Sequence, residues 1–367
     1  MRPMTQDQER ELSRLRRELD DVDDSILLAL ARRAALSKEI SALRSKEAQP
    51  RAHSPVRERQ IIDRLEQQGA GEFPKRALGP LFREILAACT ALEAPMRVAY
   101  EGPPGSLAHE AARKRFGASA EYLPCEGPRA TLELVAREHA DVGVVVLESS
   151  KEGLLQPALD ALADTELKIA DEIDTDAKIH LLNASGHPHD IDKVYAAPAE
   201  RAAAARFLAN NLPRAQVLDT RTPAMAAQLA AEDRGAAALG GATLAEMFGL
   251  VVARGNVGDE SGEHVRCAVL GSRPSARTGH DTTAFVVTLD DAPGALFRVL
   301  KPLADRDLNL RRIQSRPRAL DPALAPAYRF FIELAGHVTD RPIVTALDEM
   351  KRLTRNLKIL GSYPSKS

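Results

Sequence analysis

The residues best placed for chemistry begin with arginines in the first sixty positions. Arg33 and Arg44 stand eleven positions apart in a helical stretch, roughly 20° round an α-helix, so they share a face. Arg16 lies about 100° off that face and so addresses a different site, with a partner subunit the natural candidate. Arg57 and Glu58 open a second helix, and Cys89 and Glu93, at i and i+4, share a face of a third. Guanidinium groups pair with carboxylates through parallel N–H donors, so such a set can hold a ligand with two carboxylates. Arginines that are solvated or ion-paired on a long helix fit the same spacing, and that ordinary reading stays open.

Further candidates follow. Gly102-Pro103-Pro104-Gly105 precedes a helix, where free N–H groups around Gly105 and Ser106 can receive an anion. Arg266 is a cation for such a ligand, or else a structural salt bridge. Glu148 lies near a loop and reads equally as solvated. No spacing of Cys, His and Glu predicts a metal site.

The elements that must position these groups change character along the chain. Leu12, Leu15, Leu19, Val22, Ile26, Leu30, Leu36, Ile40 and Leu43 form a seam at three- and four-residue spacing. One helix of nearly forty residues results, and it needs a partner along its length. Residues 48–55, with Pro50, Ser54 and Pro55, break it, and helices over about 56–68 and 74–93 follow. Past Pro95 the texture turns α/β. Residues 97–100 read as a short strand, 142–147 as a buried parallel strand, and 198–210 and 223–231 as Ala-rich helices. Residues 272–281 read as a polar linker. The remainder reads β-α-β-β-α-β, with strands at 283–289, 313–316, 328–334 and 357–360 and helices at 294–305 and 342–353, a small ferredoxin-like unit. Three domains are expected, at 1–95, 96–272 and 280–367: all-α helical, α/β two-lobed and α+β.

Bulk properties agree with a folded, multidomain chain. It has 367 residues, 44% hydrophobic and 28% charged, too many for one ordinary core. A net charge of −2 gives no electrostatic case for nucleic acid or an anionic membrane. Cys89, Cys125 and Cys267 form no CxxC pair, which suits reduced thiols and a cytoplasmic location. No apolar run approaches spanning length and the start is polar, so neither anchor nor signal peptide is expected.

Several runs resemble a known family. "LRRELDDVDDSILLALARR", "PVRERQIIDRL" and "LFREILAACTALE" resemble the all-helical chorismate mutases fused to prephenate dehydratase. The resemblance implies that Arg16 reaches a neighbouring site across an intertwined dimer, and that Arg33 and Arg57 clamp carboxylates. It also implies that Glu58 holds the substrate hydroxyl and that Glu93 faces the ether oxygen. Arg44 and Ser54 stand where that family usually has lysine and aspartate. "RVAYEGPPGSLAHEAARKRFG", "VGVVVLESSKEG" and "LGSYP" resemble prephenate dehydratase. Its motifs are altered at Pro104, Ser106, Ser149 and Ala196-Ala197. At Val265-Arg266-Cys267 the family has Thr-Arg-Phe, and valine has no proton to give. Gly105, Ser106, Glu148, Ser149 and Arg266 remain the candidates for binding in that cleft.

"DDAPGALFRVLKPLADRDLNLRRIQSRP" resembles the ACT domain of phenylalanine-regulated enzymes. Gly294, Ala295, Leu296, Gln314, Ser315 and Arg316 stand at its two ligand motifs, Gln314 in place of glutamate. The resemblance implies chorismate and prephenate as ligands, phenylalanine or another aromatic amino acid as effector, a homodimer or higher homo-oligomer, and no cofactor. Three readings stand at this point. They are a mutase with an impaired dehydratase-like domain, a fully bifunctional enzyme, and a non-catalytic pathway sensor.

Overall fold

The computed structural model describes residues 6–46, 55–92, 95–150, 153–259, 262–317 and 327–365, which divide into two units. The first unit is helical, built from α1 (Gln6–Lys46), most of α2 (Pro55–Gln68) and α3 (Lys75–Ala91). Its interior is small, with Ile62, Leu78 and Cys89 buried. The seam of α1 is largely bare: Leu19, Val22, Ile26, Ile40 and Leu43 are all exposed. The expected break at 48–55 falls almost wholly outside the described residues.

The second unit carries three sheets. Its first lobe comprises β1 (Arg97–Glu101), α4 (Leu107–Phe116), β2 (Glu121–Cys125), α5 (Pro128–Ala136), β3 (Val142–Ser149), β4 (Gly153–Leu154), α6 (Gln156–Asp164) and β5 (Lys168–Ala177). The second lobe comprises β6 (His180–Asn183), β7 (Lys193–Ala196), α7 (Pro198–Ala203), α8 (Ala205–Asn211), β8 (Gln216–Asp219), α9 (Pro223–Glu232), β9 (Ala236–Gly240), α10 (Ala242–Phe248) and β10 (Val251–Arg254). β11 (Glu263–Gly271) then returns to the first sheet, whose order is β2-β1-β3-β11-β5; the second sheet is β10-β6-β9-β7-β8. Two chain crossings therefore join the lobes. Local chemistry sets several ends. Pro223 opens α9 behind Thr222, whose side chain accepts from the Met225 N–H. Gly249, with φ of 66°, closes α10 in the left-handed region.

The third sheet belongs to β12 (Asp281–Asp290), α11 (Ala295–Ala304), β13 (Leu310–Pro317), β14 (Ala327–Ala335), α12 (Arg341–Arg352) and β15 (Asn356–Pro364), in the order β13-β14-β12-β15. One face packs Phe285, Val287, Ile332 and Leu334 on Val299, Ile343 and Leu347 of its own helices. The other face puts Val286, Phe331, Leu360 and Tyr363 into one core with Val145, Leu147, Ile169 and Ala268 of the first sheet. β15 also approaches β5 backbone to backbone, and a Cβ at Gly361 would lie 2.3 Å from the Ile169 carbonyl oxygen.

Three expectations are corrected. The helix expected over 198–210 is broken at Ala204, with φ −117° and ψ 20°. β3 pairs in parallel with β1 but antiparallel with β11, because the chain re-enters the sheet from the second lobe. Residues 272–281 are no free tether, since Ser275 is buried and Asp281 accepts from the Thr278 and Gly279 N–H groups at 2.9 and 3.0 Å.

Candidate active site

β11 sets a row of three side chains across the first sheet. Val265 is registered against Ser149 of β3 on one side and Thr175 of β5 on the other. Residues opposed in this way share a face, with Cβ atoms about 5 Å apart. This is the face covered by α4, because Arg115 of α4 binds Asp171, four residues before Thr175, at 2.7 Å. Ser149, Val265 and Thr175 are all buried. Ser149 Oγ donates to Glu263 in a short hydrogen bond.

The turn after β1 follows the strand that pairs with β3 on its other side. Gly102 and Gly105 have φ of 88° and 80°, a region that favours glycine. A Cβ at Gly105 would also lie 2.5 Å from Leu244 of the second lobe. The Gly105 N–H donates to His109 Nδ1 at 2.9 Å and the Ser106 N–H to Pro103 O at 3.0 Å. Both donors expected to hold a carboxylate are thus taken inside the turn. Burial, helped by Arg113, pushes the His109 pKa down to about 4, so Nδ1 stays an acceptor at neutral pH. Glu101, at the end of β1, accepts from the Val146 N–H at 3.1 Å, and burial lifts its pKa to about 7. Ala196 and Ala197, at the end of β7, are buried and add no polar side chain.

Arg266 points to the opposite face. Its guanidinium binds Glu148 at 3.1 Å, Glu333 of β14 at 2.7 Å, and Glu172. Arg312 of β13 reaches the same Glu148 and stands 3.5 Å from Glu333. Burial opposes the Arg266 charge, but the Glu172 and Glu333 carboxylates outweigh it and hold its pKa above the usual range. Arg266 and Glu148, expected as cleft ligands, therefore tie the third sheet to the first sheet. The structural salt bridge is the reading the geometry supports.

In the helices, Arg33 is half-buried, and its Nη1 has no hydrogen-bond partner among the described residues. Arg16 and Arg57 are exposed. Glu58, whose helical turn groups with the second unit, accepts from Arg115 Nη1 at 2.7 and 2.8 Å rather than standing open for a hydroxyl. Arg44 lies on α1, with its side chain outside the described residues; Glu93 and Ser54 lie outside them altogether.

Of the regulatory candidates, Gly294 caps α11 with φ 72°, and Ala295 and Leu296 open that helix. Ser315 is exposed on β13, whereas Gln314 and Arg316 lie on the other face. Arg316 donates to the Leu154 carbonyl of β4 at 2.8 Å. Arg312, Glu172, Glu333 and Thr175 were not singled out from the sequence. Their only signal is alternation along strands whose neighbours the chain alone does not name.

The chain matches known families over most of its length. Chorismate mutase type II matches residues 15–94, prephenate dehydratase 98–275 and the ACT domain 283–351. A bifunctional chorismate mutase/prephenate dehydratase of Aquifex aeolicus is 37% identical over 361 residues, covering 96% of this chain and 98% of the relative. A prephenate dehydratase of a Mycobacterium species is 32% identical, covering 73% and 89%. Among solved structures, the prephenate dehydratase of Arthrobacter aurescens in complex with L-Phe is 31% identical with a TM-score of 0.61, covering 73% of this chain and 90% of that one. No helix among the described residues is long and apolar enough to cross a membrane. The chain belongs to the bifunctional chorismate mutase/prephenate dehydratase family.

Proposed function

We propose that the protein is a cytoplasmic chorismate mutase that forms prephenate, joined to a dehydratase-like domain that is impaired or repurposed. An aromatic amino acid, phenylalanine first, acts through its ACT domain. The rearrangement breaks an ether C–O bond as a C–C bond forms, so the site must hold two carboxylates and stabilise charge on the departing oxygen. Arg33, Arg57 and Arg44 supply the cations, Glu93 in protonated form donates to the ether oxygen, and Arg16 comes from the partner of a homodimer. The exposed seam of α1 supports that dimer. Glu58 reaches the substrate hydroxyl only if it leaves Arg115. The carrying observation for the mutase is Arg33 Nη1, a guanidinium nitrogen shut off from water with no protein partner among the described residues. For the dehydratase-like domain it is Val265, fully buried in the cleft row where a hydroxyl is needed.

The test follows chorismate with the full chain. Arg33→Ala is expected to slow its consumption about a hundredfold, close to 2.7 kcal/mol of transition-state stabilisation. Unchanged turnover would place the mutase site elsewhere.

A further inference from the structure

Arg115, near the end of α4, is one cation holding two carboxylates. Its Nη1 donates to both oxygens of Glu58, at 2.7 and 2.8 Å, and its Nε donates to Asp171 of β5 at 2.7 Å. All three residues lie within the second unit. The Arg115, Glu58 and Asp171 side chains are only 11%, 15% and 14% exposed, so water and salt screen the cluster little. Burial opposes the Arg115 charge, but Asp171 and Glu58 outweigh it and hold its pKa above the usual range. The two carboxylates are not equally committed. Asp171 is also tied to its own strand, its Oδ1 accepting from the Glu172 N–H at 2.9 Å. Glu58 stands on the opening turn of α2. When Glu58 swings away, Asp171 still neutralises Arg115, so the guanidinium is not left as a stranded charge. Glu58 is the partner that can leave.

We propose that Arg115 is an autoinhibitory clamp on the mutase: it withholds Glu58, and chorismate must win that carboxylate from it before binding fully. The inference rests on the reading above that Glu58 takes the substrate hydroxyl. A carboxylate accepts from a hydroxyl through an oxygen lone pair turned toward it. Both Glu58 oxygens are turned instead to one guanidinium nitrogen. Two full charges at this burial attract more strongly than a carboxylate and a neutral hydroxyl, so the free protein rests with Glu58 clamped. Its apparent affinity for chorismate is then reduced by the fraction of molecules in which Glu58 is free. Once chorismate fills the site Glu58 has been released, so the clamp acts on KM and leaves kcat alone. Arg115 lies in residues 98–275, the part that matches prephenate dehydratase, so affinity in the first reaction is set from outside the matched mutase segment.

The experiment follows chorismate consumption by the full-length chain over a range of chorismate concentrations, with thermal melts to report folding. Arg115→Met frees Glu58 and is expected to lower KM about tenfold, with kcat within about twofold of the native chain. Asp171→Asn removes the competing carboxylate, tightens the hold on Glu58, and is expected to raise KM several-fold, again with kcat kept. A merely structural role moves both variants the same way, so the opposite signs are the signature of the clamp. In a Glu58→Ala chain, adding Arg115→Met is expected to change KM by less than about twofold. Where Arg115→Met does not fold, Arg115→Gln takes its place, and if neither folds Asp171→Asn decides alone. A folded Arg115→Met chain with native KM overturns the proposal. So does a raised KM in both variants, an Asp171→Asn chain with native KM, or a gain that persists without Glu58. Any of these beside a slowed Arg33→Ala chain leaves the mutase reading intact, whereas native turnover in Arg33→Ala removes that reading itself.

Discussion

Val265 and Arg266 are consecutive residues of one strand and face opposite worlds. On α4, and at the end of β1, burial works against charge. His109 is pushed down to about 4 and Glu101 up to about 7, in both cases first by burial. On the regulatory side, Arg266 and Arg312 stand among Glu148, Glu172 and Glu333, and the charges are kept by partners rather than abolished. The difference teaches that a charged residue in a buried strand can owe its identity to packing rather than to a ligand. Arg266 shares Glu148 and Glu333 with Arg312 and pairs with Glu172, so its identity is tied to this cluster. Val265 has no such partners; its neighbours across the sheet are Ser149 and Thr175.

Removing Arg266 is the strongest way to break the comparison. Arg266→Met keeps the side-chain stem but strands buried carboxylates, and is expected to cost about 3–5 kcal/mol of stability in the second unit. Val265→Thr, by contrast, should change stability by less than about 1 kcal/mol. Denaturant unfolding of both variants checks this, and equal costs would mean that the two faces are not different in kind.

A smaller effect concerns the end of β1. Glu101 has an ordinary pKa of 4.5 and is raised to about 7 when folded, so folding takes up a proton. Its favourable contribution is present below pH 4.5 and is lost as pH rises through about 7. Glu101→Gln lacks this dependence. The stability difference between native chain and variant should therefore move in favour of Glu101→Gln from pH 5 to 8, then level off. His109, depressed instead, has the opposite sign but is common to both proteins and cancels. Thermal melts giving a constant difference across that range would show that Glu101 ionises normally.

Much of the fold was legible in the sequence, for physical reasons particular to each part. The heptad-like leucines that mark α1, and the apolar run that becomes β3, carry their period in their own residues. The ACT order of strands and helices likewise follows from alternation and turn residues. What the chain alone could not give was which side of a strand meets which neighbour. Arg266 and Thr175 read alike as polar residues in strands. Only the return of β11 between β3 and β5 turns one toward Glu333 and sets the other beside Val265. The Gly105 turn misled in a simpler way, since its N–H groups look free in sequence but find His109 and Pro103.

The most direct measurement is the partition of product when purified full-length protein is given chorismate at pH 8. Prephenate and phenylpyruvate are followed together, with prephenate alone as the control for its unaided breakdown. The account predicts that chorismate disappears, prephenate accumulates, and phenylpyruvate trails it by at least about tenfold in rate. Phenylpyruvate appearing as fast as chorismate is consumed, with no build-up of prephenate, would contradict it.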